Sequence, residues 1–183
     1  MLQQLESIGL PFGTIELPEE PSMETYEVLM KNAVERLRSE GFTCAVFGDI
    51  FLEDLRKYRE EQLKGFGIGT VFPLWKNDTK KLLAEFIHLG FKAIVVCVNA
   101  ELLDESFAGR IIDQAFLEDL PANVDPCGEN GEFHTFCFDG PIFRHPVAFT
   151  KGKTIYREYK LPVTSDNHKD SIGFWFCDLL PAF

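Results

Sequence analysis

The sequence predicts an α/β protein, a parallel sheet flanked by helices and followed by an α+β portion with antiparallel strands. Two observations carry the first part. Compact apolar runs alternate with segments of helical period up to about residue 99, and glycine or proline punctuates the junctions. A third carries the second part, where "EFHTFCFDG", "KTIYREYKLPV" and "SIGFWFCDLL" follow one another as strand-like runs without an intervening helix. With 183 residues, 45% hydrophobic and including 18 phenylalanines, the chain can bury roughly 70% of its unfolded surface and needs no staples to fold.

In chain order, "FGTIELP" alternates like a short strand closed by Pro18 and Pro21. Ser22 stands where a helix N-cap belongs, and Tyr26, Leu29, Met30, Ala33, Val34 and Leu37 recur at helical spacing until Gly41. "TCAVFGDI" suits a strand buried on both faces, and "FLEDLRKYREEQLKGFG" reads as a helix with acidic residues early and a glycine stop. "TVFPLW" offers another short strand. "NDTKKLLAEFIHLG" is a helix capped by Asn77 or Asp78, "FKAIVVCVN" is the best-defined strand, and "AGRIIDQAFLEDLP" reads as a helix.

Lys plus Arg total 18 against 29 Asp plus Glu, a formal charge of −11 that disfavours a phosphate-tracking surface and hence nucleic acid as a partner. A small anionic ligand remains compatible, because backbone N–H groups bind phosphate without net positive charge. The five cysteines are odd in number and form no C-x-x-C pair, which fits reduced thiols in a cytoplasmic protein. The first residues lack a basic and an apolar leader region, and no stretch reaches the length of a membrane span, so no membrane partner is expected.

The glycines of "GFGIGT" precede a strand instead of opening a helix and lack the Lys-Ser/Thr ending, so they read as a helix-to-strand connection. "FGDI" puts Gly48 and Asp49 at the C-terminal end of a predicted parallel strand, where open α/β sheets bind ligands; a helix cap by Asp49 explains the same residues. Arg56 and Glu60 are spaced for an i,i+4 ion pair. In "DPCGENGEFHTFCFDGP", Gly128 and Gly131 predict a shaped loop whose N–H groups face an anion, with Glu129, Asn130 and Glu132 orienting a polar substrate. Alternation beyond it sets Glu132 and His134 on one face and Thr135 on the other. A plain hairpin loop with solvated carboxylates is the other reading. One histidine among scattered carboxylates does not make a metal site. His88 reads as a helix-end imidazole, His145 and His168 as loop residues, and Trp75 and Trp175 as packing anchors.

"FGDI", then Arg56 and Glu60, "FPLW", "LLAEFIHLGFKAIVV", "AGRIID" and "CGENGEFHTFCFDGPIF", in that order from about residue 14 to 143, resemble the diphthine-ammonia ligase family of ATP pyrophosphatases in the adenine-nucleotide alpha-hydrolase superfamily. The resemblance implies a Rossmann-like ATP-binding domain, partial here over residues 1–74, and a smaller α+β domain over 75–183 that carries the signature loop. It implies a reaction as well: a substrate carboxylate attacks ATP, giving an acyl-adenylate and pyrophosphate, and ammonia displaces AMP to leave an amide. ATP is the implied cofactor, with Mg²⁺ neutralising charge on the departing pyrophosphate.

Two departures qualify the match. The family's S-G-G-K-D-S-like pyrophosphate loop is not in this sequence, which opens near the family's second or third strand. An N-terminally truncated product or a natural variant with weakened ATP chemistry is the expectation. The signature reads Glu129, Asn130, Gly131, Glu132, Phe133, His134, Thr135 where diphthine ligases read E-G-G-E-F-E-T, which resembles a bacterial-type branch acting on another small-molecule or protein carboxylate. On this footing Glu129, Glu132, His134 and Thr135 are the catalytic candidates, His134 as a general acid or base. Gly48, Asp49, Arg56, Glu60, Gly128, Asn130 and Gly131 are the nucleotide- or substrate-binding candidates. Replacing Glu129 or Glu132 by Gln is expected to abolish turnover with the melting temperature nearly unchanged. The rivals are a non-enzymatic binding module for a small polar or carboxylate ligand, and an interaction protein that forms a homodimer through an open sheet edge.

Overall fold

The computed structural model describes residues 1–160 and 170–182. His168 lies outside the described residues. The chain divides into two compact units, Pro11–Asn77 and a second built from Met1–Leu10 together with Asp78–Phe183.

In Pro11–Asn77, Ser22 caps α2 (Met23–Ser39) by accepting from the Thr25 N–H at 3.1 Å. Strand β1 (Cys44–Val46) pairs in parallel with β2 (Gly69–Val71), and α3 (Glu53–Lys64) lies between them in sequence. This is the parallel sheet that the alternating pattern predicts, reduced to two strands. Three apolar residues are buried in this unit, Ile50, Leu63 and Ile68, while Val46 and Val71 stay exposed. "FGTIELP" takes no strand form: residues 11–18 pair with no neighbour, and alternation without a ladder partner does not make a strand. "TVFPLW" stops being strand after Val71, because Pro73 has no N–H to offer a ladder, and the chain turns with Trp75 donating to Phe72 O. Gly65 to Ile68 do connect α3 to β2, with Gly67 at φ +66°.

The second unit is an antiparallel sheet in the order β4-β3-β6-β5, formed by β3 (Lys92–Asn99), β4 (Phe133–Asp139), β5 (Phe149–Lys160) and β6 (Ser171–Pro181). The sequence reading places "FKAIVVCVN" in a parallel sheet; it is instead the inner strand β3, antiparallel to both β4 and β6. A continuous apolar run reports burial on two faces but carries no information about the direction of its neighbours. Asp78 caps α4 (Thr79–His88) through the Lys81 N–H at 2.8 Å. The helix predicted for "AGRIIDQAFLEDLP" shrinks to α5 (Gln114–Asp119), which starts where Asp113 accepts from Phe116 N. Before that cap the segment runs extended along β3: Gly109 N donates to Val95 O, and Ile112 N to Ala93 O. Those bonds use the groups that a longer helix would need for itself.

Residues 1–10 contain a helix that the sequence reading does not anticipate, α1 (Leu2–Ile8), closed by Gly9 at φ +72°. It is tied to β4 and the segment after it. Gln4 Nε2 donates to Cys137 O, the Ser7 hydroxyl donates to His145 O, and Arg144 Nη2 donates to Gly9 O. The core of this unit lies on one face of the sheet, where Val95, Val98, Phe133, Phe107 and Phe116 pack with α4 and α5. Phe116, with no exposed surface, meets Phe107 and Phe133 edge-on at centroid distances of 6.0 and 5.5 Å. Phe116→Ala should therefore lower the stability by about 3–5 kcal/mol, read as the midpoint shift in guanidinium unfolding followed by Trp fluorescence. An unchanged midpoint would mean that this aromatic contact does not hold the core.

Candidate functional site

The predicted site residues fall into two groups, one in each unit. In Pro11–Asn77, β1 ends at Val46, and Phe47 still donates to Val71 O, so Gly48 and Asp49 do follow the C-terminal end of a parallel strand. A methyl group built on Gly48 would meet no heavy atom within 4 Å, and its φ is ordinary. The fold itself does not require glycine there. Asp49 is not a helix cap; Leu52 occupies that position for α3. Its buried carboxylate is matched by Arg59, whose Nε lies 2.8 Å from Oδ2 as an ion pair without an aligned hydrogen bond, while Nη2 donates to Oδ1 at 3.3 Å. Arg56 pairs with Glu60 as the i,i+4 spacing predicts, Nε to Oε1 2.8 Å, and its guanidinium also lies 4.8 Å from the Phe72 ring and 4.6 Å from the Trp75 ring. Arg59 was missed by the sequence reading. Its signal is helical: it is three residues from Arg56 and so lies on a neighbouring part of the same face.

The second group is the loop between α5 and β4. Two carboxylates build it. Asp125 Oδ2 accepts from Cys127 N and Glu129 N, each at 3.1 Å. Glu132, only 2% exposed, accepts from Asp125 N at 3.0 Å, Asn130 N at 2.9 Å and Asn130 Nδ2 at 3.0 Å. Gly128 N and Gly131 N complete the turn by donating to Asp125 O and Gly128 O. Every backbone N–H from Cys127 to Gly131 is thus used inside the loop. The expectation that these groups face an external anion is overturned, since the anions are the loop's own Asp125 and Glu132.

Both glycines are explained by backbone form. Gly128 at φ +71° brings its Cα so close to Phe133 that an added Cβ would lie 2.8 Å from the carbonyl oxygen, and Gly131 has φ +82°. Burial pushes the Glu132 carboxyl up, but the hydrogen bonds from Asn130 and from the backbone outweigh it and hold the group below the usual carboxylate range. Glu132 is accordingly a positioning group for the loop, so the expectation that Glu132→Gln spares the melting temperature does not survive the geometry.

The loop is anchored at both ends. Cys127 Sγ donates to Thr79 O at 3.3 Å, and Asn99 N donates to Glu132 O at 2.8 Å. Burial, then Asp125 and Glu129, push the Cys127 thiol up to about 12, which removes it as a nucleophile. Beyond the loop Phe133 enters the core, while His134 and Thr135 are both exposed at the start of β4. The five cysteines are free thiols. Among the described residues no three His, Cys, Asp or Glu side chains converge on a metal site, and no helix is long and apolar enough to cross a membrane.

Comparison with known proteins bears on this second group most directly. Residues 78–162, which include the whole loop, match the family described as the diphthamide synthase C-terminal domain. The chain is 27% identical over 172 residues to the diphthine–ammonia ligase of Homo sapiens, an alignment covering 81% of this chain and 62% of that protein. Against the Danio rerio enzyme of the same name it is 26% identical over 152 residues, covering 80% of this chain and 55% of the relative. The Schizosaccharomyces pombe protein is 28% identical over 116 residues, 61% of this chain and 19% of its own length. The chain thus spans less than two thirds of the length of these relatives.

Glu132→Gln should cost about 1–3 kcal/mol at neutral pH, because an amide nitrogen would be turned toward an N–H donor in a buried place. The stability due to the depressed Glu132 carboxyl is present above the usual carboxylate range and lost as pH falls through it toward the folded value. Urea unfolding at stepwise lower pH should show the wild-type and Glu132→Gln curves converging on the acid side. A constant gap at every pH would mean that the charge on Glu132 is not what holds the loop.

Proposed function

We propose, because residues 78–162 match the diphthamide synthase C-terminal domain family, that the protein acts as an ATP-dependent amide ligase. The observation that carries this reading is the loop at 125–132, closed on its own carboxylates inside the matched region, with His134 and Thr135 exposed directly after it. In the proposed reaction a carboxylate oxygen of the substrate attacks the α-phosphorus of ATP, and the bond to the β-phosphate oxygen breaks to release pyrophosphate. Ammonia then attacks the acyl carbon, the bond to the AMP oxygen breaks, and nitrogen loses a proton. Adenylation is needed because a carboxylate oxygen is otherwise a poor leaving group.

Roles follow from placement. Glu129, His134 and Thr135 handle the substrate, and His134 has the ring chemistry to accept the proton that nitrogen loses. Gly128, Asn130, Gly131 and Glu132 give the loop its shape. The backbone at Gly48 is open to approach at a parallel strand end, which fits the edge of a nucleotide. Arg56, Arg59 and Lys76 have the carboxylates of Glu60, Asp49 and Glu53 as partners, and in this reading the Arg56–Glu60 pair supports the strand-end site. No protein ligand is assigned to Mg²⁺, which would arrive with the triphosphate. The substrate is a small-molecule or protein carboxylate, of which diphthine is the one named by the relatives, and the setting is cytoplasmic. A homodimer is a separate proposal, to be decided by light scattering. The ligase names of the relatives do not favour a binding module without chemistry.

Calorimetric titration with a non-hydrolysable ATP analogue and Mg²⁺ tests this. Micromolar binding is expected, weakened by Gly48→Ala. The same substitution should leave the fold intact or raise its stability by about 0.4–1 kcal/mol, since alanine accepts this backbone form and narrows the unfolded ensemble. No heat at several temperatures would sink the nucleotide reading, and full affinity in Gly48→Ala would remove Gly48 from the site.

A further inference from the structure

The face of the antiparallel sheet opposite the core has a use that the loop does not explain. Residues directly opposed on neighbouring strands share a face. Val98 is opposite Phe133 on β4 and Trp175 on β6, and all three belong to the core side. The next position is the reverse: Cys97 is opposite His134 on one side and Phe176 on the other, so His134 and Phe176 lie on the outer face, about 10 Å apart across two strand spacings. The same face continues through Asn99, opposite Phe174, which is in turn opposite Arg157 on β5.

Three rings gather there. Tyr159 lies 6.0 Å from Phe174 and 6.3 Å from Phe176, and Phe174 and Phe176 are 6.2 Å apart. Tyr159 is 45% exposed. The Arg157 guanidinium stands over Phe176 at 5.6 Å and takes part in none of the ion pairs found among the described residues. Among the described arginines that stand over an aromatic ring, Arg56, Arg59 and Arg110 each also have a carboxylate partner, and Arg157 does not. The loop adjoins this face through Asn99, whose N–H donates to Glu132 O.

We infer that this outer face is where the substrate rests, with Phe174, Phe176 and Tyr159 as its floor and Arg157 pairing with the substrate's carboxylate as the residue that sets specificity. The inference rests on the amide-ligase reading in one respect, that the substrate carries a carboxylate. A planar guanidinium with its fork unoccupied matches a carboxylate through two parallel hydrogen bonds, and stacking on Phe176 restricts its motion before the ligand arrives. His134, at the other side of the same face, is then close enough to meet a substrate that spans the sheet. The neutral amide product cannot make the paired contact, so this surface would hold the acid and release the amide.

The test is titration of the 183-residue protein with diphthine, and separately with its amide, followed by NMR of the side chains of His134, Phe174 and Phe176. Saturable shifts with diphthine, markedly weaker with the amide, are expected. Arg157→Ala should weaken diphthine about tenfold while leaving the amide unchanged, and Arg157→Lys should restore part of the difference because the charge returns without the fork. Shifts of equal size with the amide, an unchanged affinity in Arg157→Ala, or no shift at these residues would each overturn the inference. Failure of the amide-ligase reading looks different: Arg157-dependent binding of diphthine persists, but the nucleotide analogue gives no heat.

Discussion

The buried carboxylate of Glu132 organises the region around it. A carboxylate removed from water is costly unless it is met by hydrogen-bond donors, and here the donors are the N–H groups of the loop that Glu132 itself closes. The arrangement is reciprocal. Glycine at Gly128 and Gly131 lets the backbone curl back, the curl presents N–H groups inward, and the acceptors at Asp125 and Glu132 keep it curled. Once it is closed, the next residue, Phe133, is delivered into contact with Phe116, and β4 begins in a fixed register beside β3. The exposure of His134 and Thr135 is a consequence of that register and not an independent feature.

Charge is managed differently in the unit Pro11–Asn77. Its buried apolar content is small, and arginines supply much of the organisation. Arg59 meets the buried Asp49 and stands 4.5 Å from the Phe47 ring; Arg56 meets Glu60 and lies over Phe72 and Trp75. Such guanidiniums act through their flat faces as much as through their charge. They keep the residues after β1 in place and leave the Gly48 backbone open, which is the property that a strand-end ligand site needs.

Arg157 uses the same device with one partner missing. It has an aromatic face beneath it, as Arg56 and Arg59 do, but no carboxylate beside it among the described residues. Amide ligation needs a carboxylate to be presented in one orientation while it is activated, and it needs the product to leave once the charge is gone. In the proposed reaction a fixed guanidinium satisfies both demands through a single contact, whereas the backbone N–H groups of the loop from Cys127 to Gly131 are engaged internally.

Local signals determined a good deal of this protein by themselves. The cap Ser22, a second cap at Asn77 or Asp78, the helices they begin, the apolar strand at 92–99 and the Arg56–Glu60 pair follow from contacts within a few residues, which sequence spacing reports directly. The resemblance carried by the signature around Gly128–Thr135 was legible for a similar reason, as a contiguous string. What spacing could not report was the identity of partners distant in the chain. Only the tertiary structure decided that β3 runs antiparallel between β4 and β6, that residues 109–112 lie along β3 instead of joining α5, and that α1 packs beside β4. It alone showed Glu132 as the acceptor that shapes the loop, and it placed Arg157 on the face of His134. Hydrogen-bond partners and shared sheet faces are properties of chain segments brought together from afar, and a strand's own residues are compatible with more than one neighbour.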